Sequence, residues 1–123
     1  MENSGAAEAF GPVYSLPAVM ELLGLAEPEV ADLVWTDCLI ALPVEDSLLF
    51  PVFQFEGHEV RQDVVEVARI LIKASDVFSA AQWLHSKIVS APNPDRLRAH
   101  ELLKTDAEAV RRAALETAAR WSA

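Results

Sequence analysis

Ser15-Leu16-Pro17-Ala18-Val19-Met20-Glu21-Leu22-Leu23-Gly24-Leu25-Ala26-Glu27-Pro28-Glu29-Val30-Ala31-Asp32-Leu33-Val34 is the stretch whose reading decides the fold. Ser15 reads as an N-cap. Leu16, Val19, Met20 and Leu23 then recur at helical spacing, and Gly24 supplies the stop. Pro28 suits the first turn of a second helix, with Val30, Leu33 and Val34 as its buried stripe. Two short helices split by a Gly-containing turn are the skeleton of a helix-turn-helix.

Downstream the period changes. Leu39-Ile40-Ala41-Leu42 and Ser47-Leu48-Leu49-Phe50 are short apolar runs separated by Pro43-Val44-Glu45-Asp46, which predicts a hairpin with an acidic turn. Phe50-Pro51-Val52-Phe53-Gln54-Phe55 follows, and Pro51 places this piece at a sheet edge or in an extended linker. Gly57 breaks the segment. Upstream, residues 1–13 are small and polar and are expected to form a flexible arm.

The remainder reads as helix. Asp63-Val64-Val65-Glu66 resembles a capping box, with Val64, Val67, Ala68, Leu71 and Ile72 on one face. Ser75 or Asp76 starts another helix, carrying Val77, Ala81, Leu84 and Ile88. Two prolines make Ala91-Pro92-Asn93-Pro94 a turn. A short helix is predicted over Leu97 to Leu103. Thr105-Asp106-Ala107-Glu108 opens a last helix to about Ala119, with a stripe of Val110, Ala114, Thr117 and Trp121. Glu108/Arg112 and Glu116/Arg120 are spaced as ion pairs on its other faces. The expected architecture is mainly α: a small winged helix-turn-helix-like N-terminal part (residues 14–56) with one short β-hairpin, then a C-terminal helical bundle (57–123).

Charge pulls against the first motif. All ten Lys and Arg lie between Arg61 and Arg120, whereas residues 1–60 hold eleven of the nineteen Asp and Glu. The first 60 residues therefore carry −11, and the remainder, with ten basic and eight acidic residues, +2. A surface without cations cannot release counterions from a phosphate backbone, so DNA is an unfavoured partner. The net charge of −9 favours solubility and basic partners and disfavours anionic membranes. The longest apolar run, Cys38 to Val44, falls far short of the roughly 20 residues that span a bilayer. The N-terminus has neither a basic nor an apolar signal region, and Cys38 is the lone cysteine, so a cytoplasmic, reducing location is expected.

The order of these signals resembles a known group. Phe50-Pro51-Val52-Phe53-Gln54-Phe55, the apolar helix after it, Trp83-Leu84, Asn93-Pro94 and the Ala-rich last helix are similar to the toxin-binding domain of bacterial Xre/MbcA/ParS-type antitoxins. In actinobacterial-type members a small winged helix-turn-helix precedes a Phe-Pro-x-x-Gln-Phe joint, and Ser15 to Phe55 matches that order. The resemblance covers residues 14–119. It implies a non-catalytic antitoxin that sequesters a RES-type toxin, an NAD-consuming enzyme. The helical domain would make the contact, and the chain end, here Leu102 to Ala123, would plug the active-site entrance. Dimerisation is common in the group, which makes a homodimer a further expectation.

The chain departs from that pattern in three places. Asp95-Arg96-Leu97-Arg98-Ala99-His100 lacks the usual Gly and Pro, and Lys104-Thr105 stands where a Gly commonly precedes the last helix. The helix placed to read DNA, Glu27 to Thr36, holds Glu27, Glu29 and Asp32 and no base-contacting Arg, Lys, Asn or Gln.

Candidate partner-binding residues come from two features. Arg96, Arg98, Lys104, Arg111 and Arg112 are the only basic concentration, either a solvated helical surface or a complement to an acidic partner. Trp121, three residues from the end, either caps the domain or inserts into a partner. Trp83 reads as a core anchor. Cys38 reads as a buried, inert thiol with no cation nearby. His58, His85 and His100 show no ligand spacing, and even if His85 met Cys38 the two would not make a zinc site. Glu45 and Asp46 read as a solvated turn. No Gly-rich phosphate loop, HExxH, CxxC or GxSxG occurs, so no enzymatic activity, cofactor or metal is expected. Two other functions stay open: a DNA-binding regulator, and an acidic adaptor that has lost DNA binding.

Overall fold

The computed structural model describes residues 9–89 and 92–122. Among them are six α-helices and a small antiparallel sheet, so the chain is mainly α. Strand β1 (Val13–Ser15) leads into α1 (Leu16–Leu23) and α2 (Glu27–Trp35). The hairpin β2 (Leu42–Val44) and β3 (Ser47–Pro51) follows, then a 3₁₀ turn (Val52–Gln54) and a two-strand ribbon, β4 (Phe55–Glu56) and β5 (Glu59–Val60). Helices α3 (Gln62–Ala74), α4 (Val77–His85), α5 (Ala99–Leu102) and α6 (Ala107–Ser122) complete the chain.

The N-terminal helices begin and end where their residues dictate. Ser15 Oγ accepts a hydrogen bond from Ala18 N at 3.3 Å, and Gly24 closes α1 at φ +67°, a left-handed conformation that favours glycine. Ala26 has no capping side chain, so Glu29 reaches back and accepts from its N–H at 2.8 Å. Thr36 ends α2 by returning its hydroxyl to the Asp32 carbonyl at 2.9 Å.

The sheet runs in the order β1-β3-β2, which makes β3 the central strand. This corrects the edge placement expected from Pro51. That residue is the last of β3, opposite Val13, where a missing N–H costs the ladder little, and Val52 N resumes bonding to Pro12 O at 2.9 Å. The hairpin turn is Glu45-Asp46 alone, with Pro43 and Val44 drawn into β2. Of the expected arm, residues 1–8 lie outside the described residues, while Phe10 packs against the core and Val13 opens β1.

Side-chain alternation along the extended segments builds two cores. Leu39, Ala41 and Phe50 join Val19 and Val30, whereas Ile40 and Leu42 join the larger cluster formed by α3 to α6. Leu48 leans on the smaller core and Leu49 on the larger. One sheet thus gives a face to each core. Gln54, fully buried, fastens the joint: its Oε1 accepts from Ile40 N at 2.7 Å, and its Nε2 donates to Ile40 O at 2.9 Å and Pro51 O at 3.1 Å.

In the helical part the caps shift by small steps from expectation. Asp63 lies inside the first turn of α3, because its carboxylate pairs with the buried Arg61 at 2.9 Å, and Glu66 bonds Arg111 of α6 at 3.1 Å. Asp76 caps α4, accepting from Ser79 N at 2.7 Å. Ile88 is buried beyond the end of α4. Asn93 holds its turn with three bonds, to Ile88 O (3.1 Å), Leu97 O (2.8 Å) and Leu97 N (2.9 Å). That clamp keeps Leu97 and Arg98 extended, so α5 begins only at Ala99. Asp106 caps α6, and Arg120 bonds Thr117 Oγ1 at 3.2 Å instead of pairing with Glu116.

Candidate functional site

Helix α6 runs past Ala119 to Ser122, so Trp121 sits on its last turn. The indole is 37% exposed and borders a groove of about 510 Å³. Ser75, Ser79, Gln82, Trp83 and Ser86, from α4 and its flanks, line the other walls. Trp83 packs against the helical core from this groove, as an anchor should. Ser75 Oγ bonds Ser79 Oγ at 3.2 Å, and Ser86 Oγ donates to Trp83 O at 2.6 Å, so the polar rim is already ordered. Two indoles framed by small hydroxyl side chains offer an apolar seat with a hydrogen-bonding rim, the pattern of a protein-binding anchor site.

The basic residues stand in different settings, although Arg98 and Lys104 both border depressions lined by His100 and Glu101. Arg98 Nη1 is held by the His85 carbonyl at 2.7 Å, and Arg111 by Glu66. Arg112 stands 3.8 Å from Glu108. Arg96 lines a depression with Lys87, Ile88, Val89 and Asn93, while Lys104 borders another with Glu56, Glu59, Arg61 and Asp63. Exposed pairs of this kind contribute little to stability.

Three ring systems come together that the sequence pattern did not reveal. Phe53 and His100 stack at 4.7 Å and 10°, and His85 lies nearly parallel to His100 at 6.3 Å. Burial, the leading cause, pushes the His100 pKa from 6.5 down to about 4, against an opposing pull from Glu101. Burial also lowers the pKa of His85, helped by Arg98. Gly11 covers His85 so closely that a Cβ there would meet the ring at 3.0 Å. Among the described residues the buried His85 Nδ1 has no hydrogen-bond partner. Cys38 lies elsewhere, with Arg69 Nη2 at 3.1 Å from its sulfur. Hydrogen bonding with Thr36 and Arg69 lowers its pKa, so the expectation of a thiol without a nearby cation is corrected. Among the described residues no His, Cys, Asp and Glu group could hold a metal ion, and no helix is long and apolar enough to cross a membrane.

No family model and no curated protein matches this chain. Among solved structures it is similar to the NMR structure of Rv2175c, with a TM-score of 0.71 and 25% sequence identity. The match covers 87% of this chain and 81% of that one.

Proposed function

We propose that this chain is a non-catalytic, cytoplasmic antitoxin whose helical part, read as a C-terminal bundle, binds a RES-type NAD-degrading toxin and blocks its active site. The observation that carries this reading is the Trp83–Trp121 groove: a half-open tryptophan on the last helical turn, where a chain end that plugs an enzyme needs an anchor. Two amides, Gln54 buried and Asn93 partly buried, add support. Gln54 and Asn93 each make three hydrogen bonds, which gives the Phe50–Phe55 joint and the Asn93-Pro94 turn structural reasons for their residue types. The N-terminal part, α1, α2 and the hairpin, we read as a winged helix-turn-helix that has lost DNA binding. Its second helix presents Glu27, Glu29 and Asp32 and no cation, and phosphate would be repelled there.

A tagged pull-down from the native host, nuclease-treated and at physiological salt, tests the reading. A stoichiometric RES-type enzyme identified by mass spectrometry is the expected result. Recovery of nucleic acid before nuclease treatment, with no such enzyme, would favour the regulator instead.

A further inference from the structure

Helix α2 buries Val30 and leans Leu33 and Val34 on the smaller core, so its other face, with Pro28, Ala31, Asp32 and Trp35, meets solvent. On that face Trp35 is 87% exposed, the most exposed aromatic among the described residues. Among the described residues this indole, left in water on an ordered helix, covers no other part of the chain. One turn before it stands the exposed carboxylate of Asp32, which among the described residues takes part in no ion pair. No Lys or Arg occurs anywhere in the first 60 residues.

We infer that this face of α2 docks an arginine-bearing basic segment of a partner protein. A guanidinium satisfies both halves of the surface at once. Its plane stacks on the Trp35 indole, and its N–H fork reaches the Asp32 carboxylate one turn away. Lysine supplies the charge without the stacking plane. Duplex DNA fails on sign. Within this chain Arg61, Arg69, Arg98 and Arg111 are engaged by Asp63, by Asp37 and Cys38, by His85 and by Glu66, whereas Arg96 and Arg112 are exposed, so a second copy is the competing occupant that the test separates. The inference is independent of the Trp83–Trp121 groove.

The test is an NMR titration of the full ¹⁵N-labelled chain with acetylated hexa-arginine, and separately hexa-lysine, at physiological salt. The expected result is a saturable shift centred on the Trp35 indole N–H and the α2 amides, with hexa-arginine the tighter ligand. Trp35→Ala, an exposed substitution that leaves both cores intact, should weaken hexa-arginine about fivefold, and Trp35→Phe should recover part of that. Equal binding of both peptides, shifts spread evenly over the acidic surface, or an unchanged affinity in Trp35→Ala would each overturn it. So would a Trp35-dependent homodimer that the peptide does not compete.

Discussion

The two cores of this molecule share one sheet but differ in what they can withstand. The helical core draws on α3, α4, α5 and α6, with Leu71, Leu84 and Val110 fully buried and many alanines letting helices approach closely. The N-terminal core has five buried residues, and Phe50 from the shared sheet is the largest of them. The smaller core therefore depends on a strand whose opposite face belongs to its neighbour. The contrast teaches that the acidic N-terminal part is not free to evolve as a separate module. Its first 60 residues carry no Lys or Arg, while its interior stays tied to the helical part through Phe50, Gln54 and β1.

The strongest way to break that contrast is Phe50→Ala. Truncating this ring should cost about 4 kcal/mol, and because the cores share β3 the chain should still unfold in one transition at a lower midpoint. Two resolved transitions in a chemical denaturation series would show that the cores are uncoupled. Gln54→Leu should cost about 2–3 kcal/mol, since it leaves the Ile40 N–H and C=O buried without partners. A loss under 0.5 kcal/mol by the same measurement would remove Gln54 as the fastening point.

A smaller effect concerns the contact between the N-terminal segment and the helical part at Gly11, His85 and His100. The unfolded chain protonates His100 below about 6.5, the native one only below about 4. Between those values the unfolded state binds more protons. Stability from this group is thus complete above pH 6.5 and is lost as pH falls toward 4. Discounted for partial exposure, the loss is about 2 kcal/mol. His100→Phe keeps a ring on Phe53 and should flatten this part of the pH–stability curve, with a residual slope from His85. An unchanged curve would mean that His100 is as solvated in the folded chain as in the unfolded one.

Much of this was legible in local pattern. Ser15 and Asp76 mark helix starts through side chains that act within four residues, Gly24 marks a helix end through its backbone freedom, and the stripes of α1, α3 and α6 follow from period alone. The last cap fell one residue from the expected box, on Asp106 and not Thr105. The central place of β3 was hidden because a proline at a strand end looks the same in sequence as one at a strand edge. Trp121 was visible as a candidate, but its groove was not, since the walls come from α4, some forty residues upstream. The stacked histidines and the Cys38–Arg69 contact were invisible for the same reason: nothing in their spacing reports a tertiary neighbour. Which basic residues have internal partners was equally hidden: Arg98 and Arg111 are engaged by groups on different elements.

The most direct test of the proposed function is to titrate the purified chain into a RES-type toxin from the same host and follow NAD consumption. The account predicts inhibition that is complete near one equivalent and much weakened by Trp121→Ala, with the variant still folded at the assay temperature by circular dichroism. Undiminished NAD consumption in the presence of excess folded chain would contradict it.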